Sequence, residues 1–185
     1  MIHVALFASG TGSNVIKIIE HFAQHPAVRF SVLSNKADAP VLAKATALGI
    51  ETFVFDKKMF TEQTTVVDFL QARQVKLIVL AGFLWLVPES LVLAFPNKII
   101  NIHPALLPKF GGKGMYGMRV HQAVREANET ESGITIHFVN TKYDEGKIIL
   151  QVQCPVYQED TPEVIAKKVQ TLEHTWLPKV IEELL

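Results

Sequence analysis

Short continuous apolar runs alternate along this chain with segments whose apolar side chains recur every three or four positions, the pattern of strands alternating with amphipathic helices. His3–Ala8 reads as a first strand, and Ser13–His25 as a helix with Val15, Ile16, Ile19 and Phe22 on one face. Phe30–Ser34 is a second strand, after which Pro40 opens a helix that runs to Leu48 and stops at Gly49. Glu51–Phe55 is a third strand and Thr61–Gln74 a third helix. Leu77–Leu80 is apolar at every position, as a parallel strand covered on both faces must be. Pro88–Phe95 then reads as a short helix and Lys98–His103 as a fifth strand.

Beyond residue 120 the pattern changes. A helix over Val120–Ala127 precedes two strands, Gly133–Val139 and Ile148–Val156, joined by "NTKYDEG", a spacing that suits an antiparallel return. The last helix begins at Thr161-Pro162-Glu163, a hydroxyl cap followed by a proline and an acid in the first turn. It carries Ile165, Val169, Leu172, Trp176 and Val180 along one side, with a bend expected at Pro178. The sum predicts an α/β fold: one doubly wound, Rossmann-like domain over residues 1–185, its sheet mostly parallel with an antiparallel C-terminal part. The half before residue 100 is expected to bind phosphate, and residues 101–185 to carry the catalytic and remaining binding groups. Ligands of such sheets sit beyond the carboxyl ends of the strands, so the residues just after each strand are the informative ones.

Composition narrows the function classes. Of 185 residues 49% are apolar and 19% charged, enough for a substantial core and too apolar for disorder. Eighteen lysines and arginines balance eighteen aspartates and glutamates, which argues against a nucleic-acid-binding surface. The single cysteine, Cys154, forms no internal disulfide and fits a reducing compartment. "MIHVALFASG" lacks the basic start and the apolar length of a signal peptide, and no run approaches the ~20 apolar residues of a membrane span. A cytoplasmic protein with no membrane or nucleic-acid partner is expected, as monomer or homodimer.

The first strand end, "ASGTGSN", turns into a helix whose first free amides favour an anion. It lacks the third glycine of a dinucleotide fingerprint, and the second strand ends Ser34-Asn35-Lys36 without the acid that would hold a ribose diol. No Gly-Lys-Ser/Thr makes it a P-loop. Two readings stand: an ordinary tight turn, or a cradle for the single phosphate of a small metabolite at Gly12, Ser13 and Asn14. After the fourth strand, Phe83, Leu84, Trp85, Leu86 and Val87 continue the apolar run into a loop. They either tuck beneath the sheet or wall a pocket for a flat heterocycle.

After the fifth strand, Asn101 and His103 lie two apart and hence on one face, before Pro104 ends the strand. They are either a satisfied core pair or an amide donor and imidazole poised for oxyanion stabilisation and proton transfer. Asp144, in the turn, is either a solvated acid or the carboxylate that raises the histidine's pKa and holds its tautomer. A serine hydrolase would need a Gly-x-Ser-x-Gly elbow, and there is none. His21 and His25 lack a third ligand at metal spacing, so no metal is expected. With neither covalent nucleophile nor metal, direct acyl transfer to a substrate amine is the chemistry that remains.

Together, Gly-x-Gly-Ser-Asn, Ala-Gly-Phe, "NIHPALLP", "YDEGKIILQ" and "QTLEH" resemble the folate-dependent formyltransferase family, in order along almost the whole chain. Within it, "GTGSN" is similar to the branch that acts on glycinamide ribonucleotide in purine synthesis. The resemblance implies an enzyme that passes the formyl group of 10-formyltetrahydrofolate, its co-substrate, to the ribonucleotide's amine through a tetrahedral intermediate. It implies Asn101, His103 and Asp144 as the catalytic trio, with Asn101 and a protonated His103 on the oxyanion and Asp144 supporting His103 and a proton-relaying water. It implies that Gly12, Ser13 and Asn14 hold the phosphate, and Gln170 and Glu173 the rest of the ribonucleotide. The folate would lie along Leu84, Trp85, Leu86 and Val87 and meet Asn101 and the Asn140, Thr141, Lys142, Tyr143 and Asp144 loop. Where family members often carry an arginine or lysine for the folate's acidic tail, this chain has Leu84-Trp85-Leu86 and Gln63. "KFGGKGMYGMRVH" holds four of the ten glycines and reads as a mobile loop or as a lid that excludes water. Two other functions are weighed: a deformylase-like hydrolase of the same folate, and a non-enzymatic nucleotide-binding module. A methionyl-tRNA formyltransferase would carry a further RNA-binding domain.

Overall fold

The computed structural model describes residues 1–185. Seven strands form one sheet in the order β3-β2-β1-β4-β5-β6-β7. They are β1 (Ile2–Phe7), β2 (Val28–Ser34), β3 (Glu51–Val54), β4 (Val75–Leu80), β5 (Ile99–His103), β6 (Glu131–Phe138) and β7 (Ile148–Pro155). The helices are α1 (Ser13–His21), α2 (Pro40–Ala47), α3 (Lys57–Thr61), α4 (Thr65–Ala72), α5 (Glu89–Ala94), α6 (Met118–Glu126) and α7 (Pro162–Leu184). Strands β1 to β5 pair in parallel, and β6 runs antiparallel to both β5 and β7. The doubly wound, mostly parallel sheet with an antiparallel C-terminal part is therefore the observed fold.

Alternation along the strands sorts the core into two layers. Val4, Leu6, Val79, Ile100, Ile102, Ile134 and Ile136 face α1, α2, α6 and α7, while Ala5, Phe7, Ile78, Leu80 and Ile99 face α3, α4 and α5. The order reverses at β1, which pairs with β2 on one side and β4 on the other. A crevice opens there beyond Phe7 and Leu80, at the switch point where such sheets take ligands. Register does the rest. Asn101 lies opposite His137 and His103 opposite Thr135, so four polar side chains share one face of the β5–β6 ladder.

Three local details differ from the periodicity. The segment expected as one helix over Thr61–Gln74 is two, because Asp56 caps an earlier start by accepting from the Met59 amide at 2.8 Å. The first helix ends at His21 and tightens into a 3₁₀ turn over Phe22–Gln24, since His25 precedes Pro26 and is driven out of the helical region. Helix α7 starts at its expected Thr161 cap but runs through Pro178 as one element, with Leu177, Pro178, Val180 and Ile181 all buried.

Candidate active site

One cavity of about 880 Å³ lies along the carboxyl ends of the strands, and it reaches from the β1–α1 turn to the β6–β7 loop. At the first end, Gly12 caps α1 in the left-handed region with φ 69°, and a side chain there would overlap Val41 of α2. No acidic residue sits in the first turn of α1, so its unpaired amides are free for an anion. Lys36 lines the same end. The side chains are committed elsewhere. Asn14 Nδ2 donates to Glu173 Oε2 at 2.9 Å, and Gln170 Nε2 donates to Ser13 Oγ at 3.4 Å. Asn14 thus offers a phosphate its backbone, while its side chain positions Glu173; its Oδ1 is buried without a partner. Burial pushes the Glu173 carboxyl above its ordinary pKa, against the pull of Asn14. This end of the cavity is consequently built from both halves of the chain.

At the other end Asn101, His103 and Asp144 converge. His103 is 3% exposed; its Nε2–H donates to the Phe110 carbonyl at 2.7 Å, and its Nδ1 lies 3.5 Å from Asp144 Oδ2. Asn101 Nδ2 lies 3.4 Å from Asp144 Oδ1, and the Gly112 amide donates to Asp144 Oδ2 at 2.9 Å. Asp144 itself holds φ 55°, a left-handed conformation costly for a residue with a side chain. Burial alone would lift the Asp144 carboxyl, but the groups around it, His103 and the Gly112 amide among them, outweigh it and hold the group below its ordinary range.

For His103 the balance differs from the sequence expectation. Burial lowers its pKa, and the opposing pull of Asp144 and of the Phe110 carbonyl does not compensate, so the imidazole sits below its ordinary value. The carboxylate acts in the expected direction and loses to desolvation. In this environment the neutral form is favoured, with the proton on Nε2 and the Nδ1 lone pair toward Asp144.

His137 is the site residue that motif reasoning missed. Its Nδ1 donates to its neighbour's carbonyl, Phe138 O, at 2.9 Å, which leaves Nε2 to accept from Asn101 Nδ2 at 3.1 Å. Both amide hydrogens of Asn101 are thereby engaged and its orientation is fixed. The available signal was a histidine in phase with Thr135 on an otherwise apolar strand. Gly146, the last residue of "YDEG", belongs to the same device: a side chain there would overlap the Phe138 carbonyl to which His137 donates.

The apolar slot is both things at once. Phe83 and Val87 are core residues, and Trp85 packs on the same layer, yet Phe83, Leu84, Trp85, Leu86 and Val87 all line the cavity. Ser9 anchors this wall by accepting from the Leu84 amide at 3.1 Å while donating to Asn35 Oδ1 at 2.7 Å. Opposite, Lys142, Tyr143 and Asp144 line the cavity, whereas Asn140 and Thr141 do not; Asn140 Oδ1 instead accepts from the Lys142 amide within the turn. Gln63 is exposed and outside the cavity lining, but Lys57 Nζ stands 4.8 Å above the Trp85 ring, a cation beside the slot that its sequence position did not reveal.

One cavity joins the unpaired amides of α1 to an amide, an imidazole and a carboxylate, an arrangement suited to group transfer. Comparison with known proteins agrees: residues 2–181 match the family described as Formyl transferase, and the chain belongs to that family. Over 96% of its length it is 44% identical to a chloroplastic phosphoribosylglycinamide formyltransferase of Arabidopsis thaliana, of which it spans 63%. It is 38% identical over 97% of its length to the phosphoribosylglycinamide formyltransferase of Haemophilus influenzae, of which it spans 85%. Among solved structures, glycinamide ribonucleotide transformylase 1 of Geobacillus kaustophilus superposes with a TM-score of 0.90 at 30% identity, covering 100% of this chain and 99% of that one.

Proposed function

We propose that this chain transfers the formyl group of 10-formyltetrahydrofolate to the amine of 5-phosphoribosylglycinamide, a step of de novo purine synthesis. The observation that carries the reading is the approach of His103, Asn101 and Asp144 at the end of a cavity that begins at the α1 amides. In this reading the amides of Gly12, Ser13 and Asn14 take the phosphate, and Glu173 and Gln170 the ribose. The pterin lies against Leu84–Val87, with Lys142, Tyr143 and Asp144 opposite.

Only an unprotonated amine attacks a carbonyl carbon. A buried, neutral His103 accepts the amine's proton on Nδ1, directly or through a water, and the imidazolium formed is stabilised by Asp144 at 3.5 Å. As Asp144 turns to His103, its 3.4 Å bond from Asn101 is the weaker contact and the one released. The freed Asn101 N–H then meets the oxygen that gains charge as the amine bonds to the formyl carbon. Loss of such a donor costs about 3 kcal/mol of transition-state stabilisation. The bond from the formyl carbon to N10 breaks, and His103 returns its proton to that nitrogen, so one proton moves from acceptor amine to folate and none is left over.

The proposed partners are these two small molecules, in a cytoplasmic setting that fits the lone, half-buried Cys154; no helix is long and apolar enough to cross a membrane. The decisive assay follows formyl loss from the folate with and without the ribonucleotide. Strict dependence on the ribonucleotide supports the transferase. Equal loss in water alone would instead establish a deformylase, and no loss in either condition a binding module.

A further inference from the structure

Four histidines are buried: His3, His103, His121 and His137. Three have a polar partner facing each ring nitrogen. His3 meets the Arg73 carbonyl and Ser31 Oγ, His103 the Phe110 carbonyl and Asp144, and His137 the Phe138 carbonyl and Asn101. His121 is the exception. It is 6% exposed and its side chain makes no hydrogen bond within the chain: Nδ1 is sealed from solvent without a partner, and Nε2, equally unpaired, is the ring nitrogen left open to a ligand. Buried polar groups without partners are rare in folded proteins and call for an explanation.

Its surroundings supply one. On α6, Val120 and Val124 are fully packed and fix the helix, and His121 is the single polar residue among the three buried on that helix. It lines the large cavity together with His103 and with Ala166, Val169, Gln170 and Glu173 of α7, the helix on which α6 packs. We propose that His121 is a further binding residue for the acceptor substrate, hydrogen-bonding the uncharged amide that links its ribose to the reacting amine. The inference rests on the function proposed above and adds to it a residue that reads one functional group.

The choice of group follows from order along the ligand. A phosphoribosyl glycinamide presents phosphate, ribose, amide and amine in that sequence. Glu173 and Gln170 bond to Asn14 and Ser13, so they stand one group in from the phosphate. His121 and His103 line the same cavity, which puts His121 on the side of the reacting amine. Between ribose and amine only the amide remains. Burial first, then His103, holds the His121 imidazole below its ordinary pKa. A neutral ring with one donor and one acceptor suits an amide, whereas Lys36, Lys113, Arg119 and Lys142 are the groups in this cavity suited to anions.

The test uses the whole chain and the variants His121→Phe and His121→Asn, titrated with 5-phosphoribosylglycinamide and with ribose 5-phosphate, which lacks the amide. His121→Phe should weaken the glycinamide ribonucleotide about tenfold and leave ribose 5-phosphate and the KM of the formyl donor unchanged. Without ligand it should melt no lower than the parent, because an unpaired buried nitrogen has been removed; a structural role predicts the opposite. His121→Asn, which can still pair with an amide, should recover part of the affinity. Unchanged ribonucleotide affinity overturns the inference, as does equal loss for ribose 5-phosphate or a parallel rise in both KM values. A parent protein that neither binds the ribonucleotide nor transfers formyl removes the functional reading itself, whereas an active parent with an indifferent Phe variant removes only the role of His121.

Discussion

Asn101 and His137 face one another across the β5–β6 ladder, and the amide of the first donates to Nε2 of the second over 3.1 Å. Because His137 Nδ1 is committed to the Phe138 carbonyl, its Nε2 accepts only, and the Asn101 side chain has one permitted orientation. His137→Phe keeps the ring volume and removes that constraint. The expected result is a fall in kcat of about tenfold or more with little change in either KM, since the amide can turn its oxygen toward the developing charge. An unchanged kcat in steady-state assays would show that Asn101 is held by other means.

Asp144→Asn is expected to retain the fold, because asparagine tolerates the φ 55° found there better than other residues. It removes the one charged group that raises the His103 pKa. Turnover should fall about 10²–10³-fold, and the imidazole, followed by NMR titration, should shift further below its ordinary value. A shift in the other direction would mean that Asp144 does not stabilise the imidazolium.

Ser9→Ala deletes a hydroxyl that bridges the Leu84 amide and Asn35. The Leu84 amide is then left without its partner at the wall proposed for the folate. The KM for the formyl donor should rise several-fold while ribonucleotide binding, measured by calorimetry, stays within a factor of about two.

Acid should weaken the fold through the histidines. His3, His103 and His121 are each held below the ordinary histidine value of 6.5, chiefly by burial. Folded, they bind protons less readily than in the unfolded chain, so below about pH 6.5 the unfolded state carries more protons and gains free energy relative to the native one. Their contribution is present in full above that pH and is lost as pH falls toward the lowered native values. Denaturant midpoints measured from pH 8 to pH 5 should fall, and His121→Phe should flatten the slope.

Much of this was legible from the order of residues, for reasons that are local. Strand ends, the Thr161-Pro162 cap and the Gly12 turn depend on neighbours along the chain, and periodicity exposes them. The pairing of Asn101 with His103 on one face follows from a strand's repeat of two. His137 was not legible because its role comes from register between two strands, 36 residues apart in number and adjacent only after β6 pairs with β5. Asn14 was legible as a residue of the first strand-to-helix turn, yet its side chain bonds to α7, and only tertiary packing shows that. The sign of the His103 shift was beyond reach for the same reason: proximity of an acid can be guessed from motifs, but depth of burial cannot.

The glycine-rich segment holds the reacting centre from two directions, through Phe110 to the imidazole and through Gly112 to the carboxylate. Displacing that strip of backbone would unhook both groups. Under the proposed reaction an open site would thereby be an idle one, and a labile formyl donor would meet a working acid–base pair only behind a closed door.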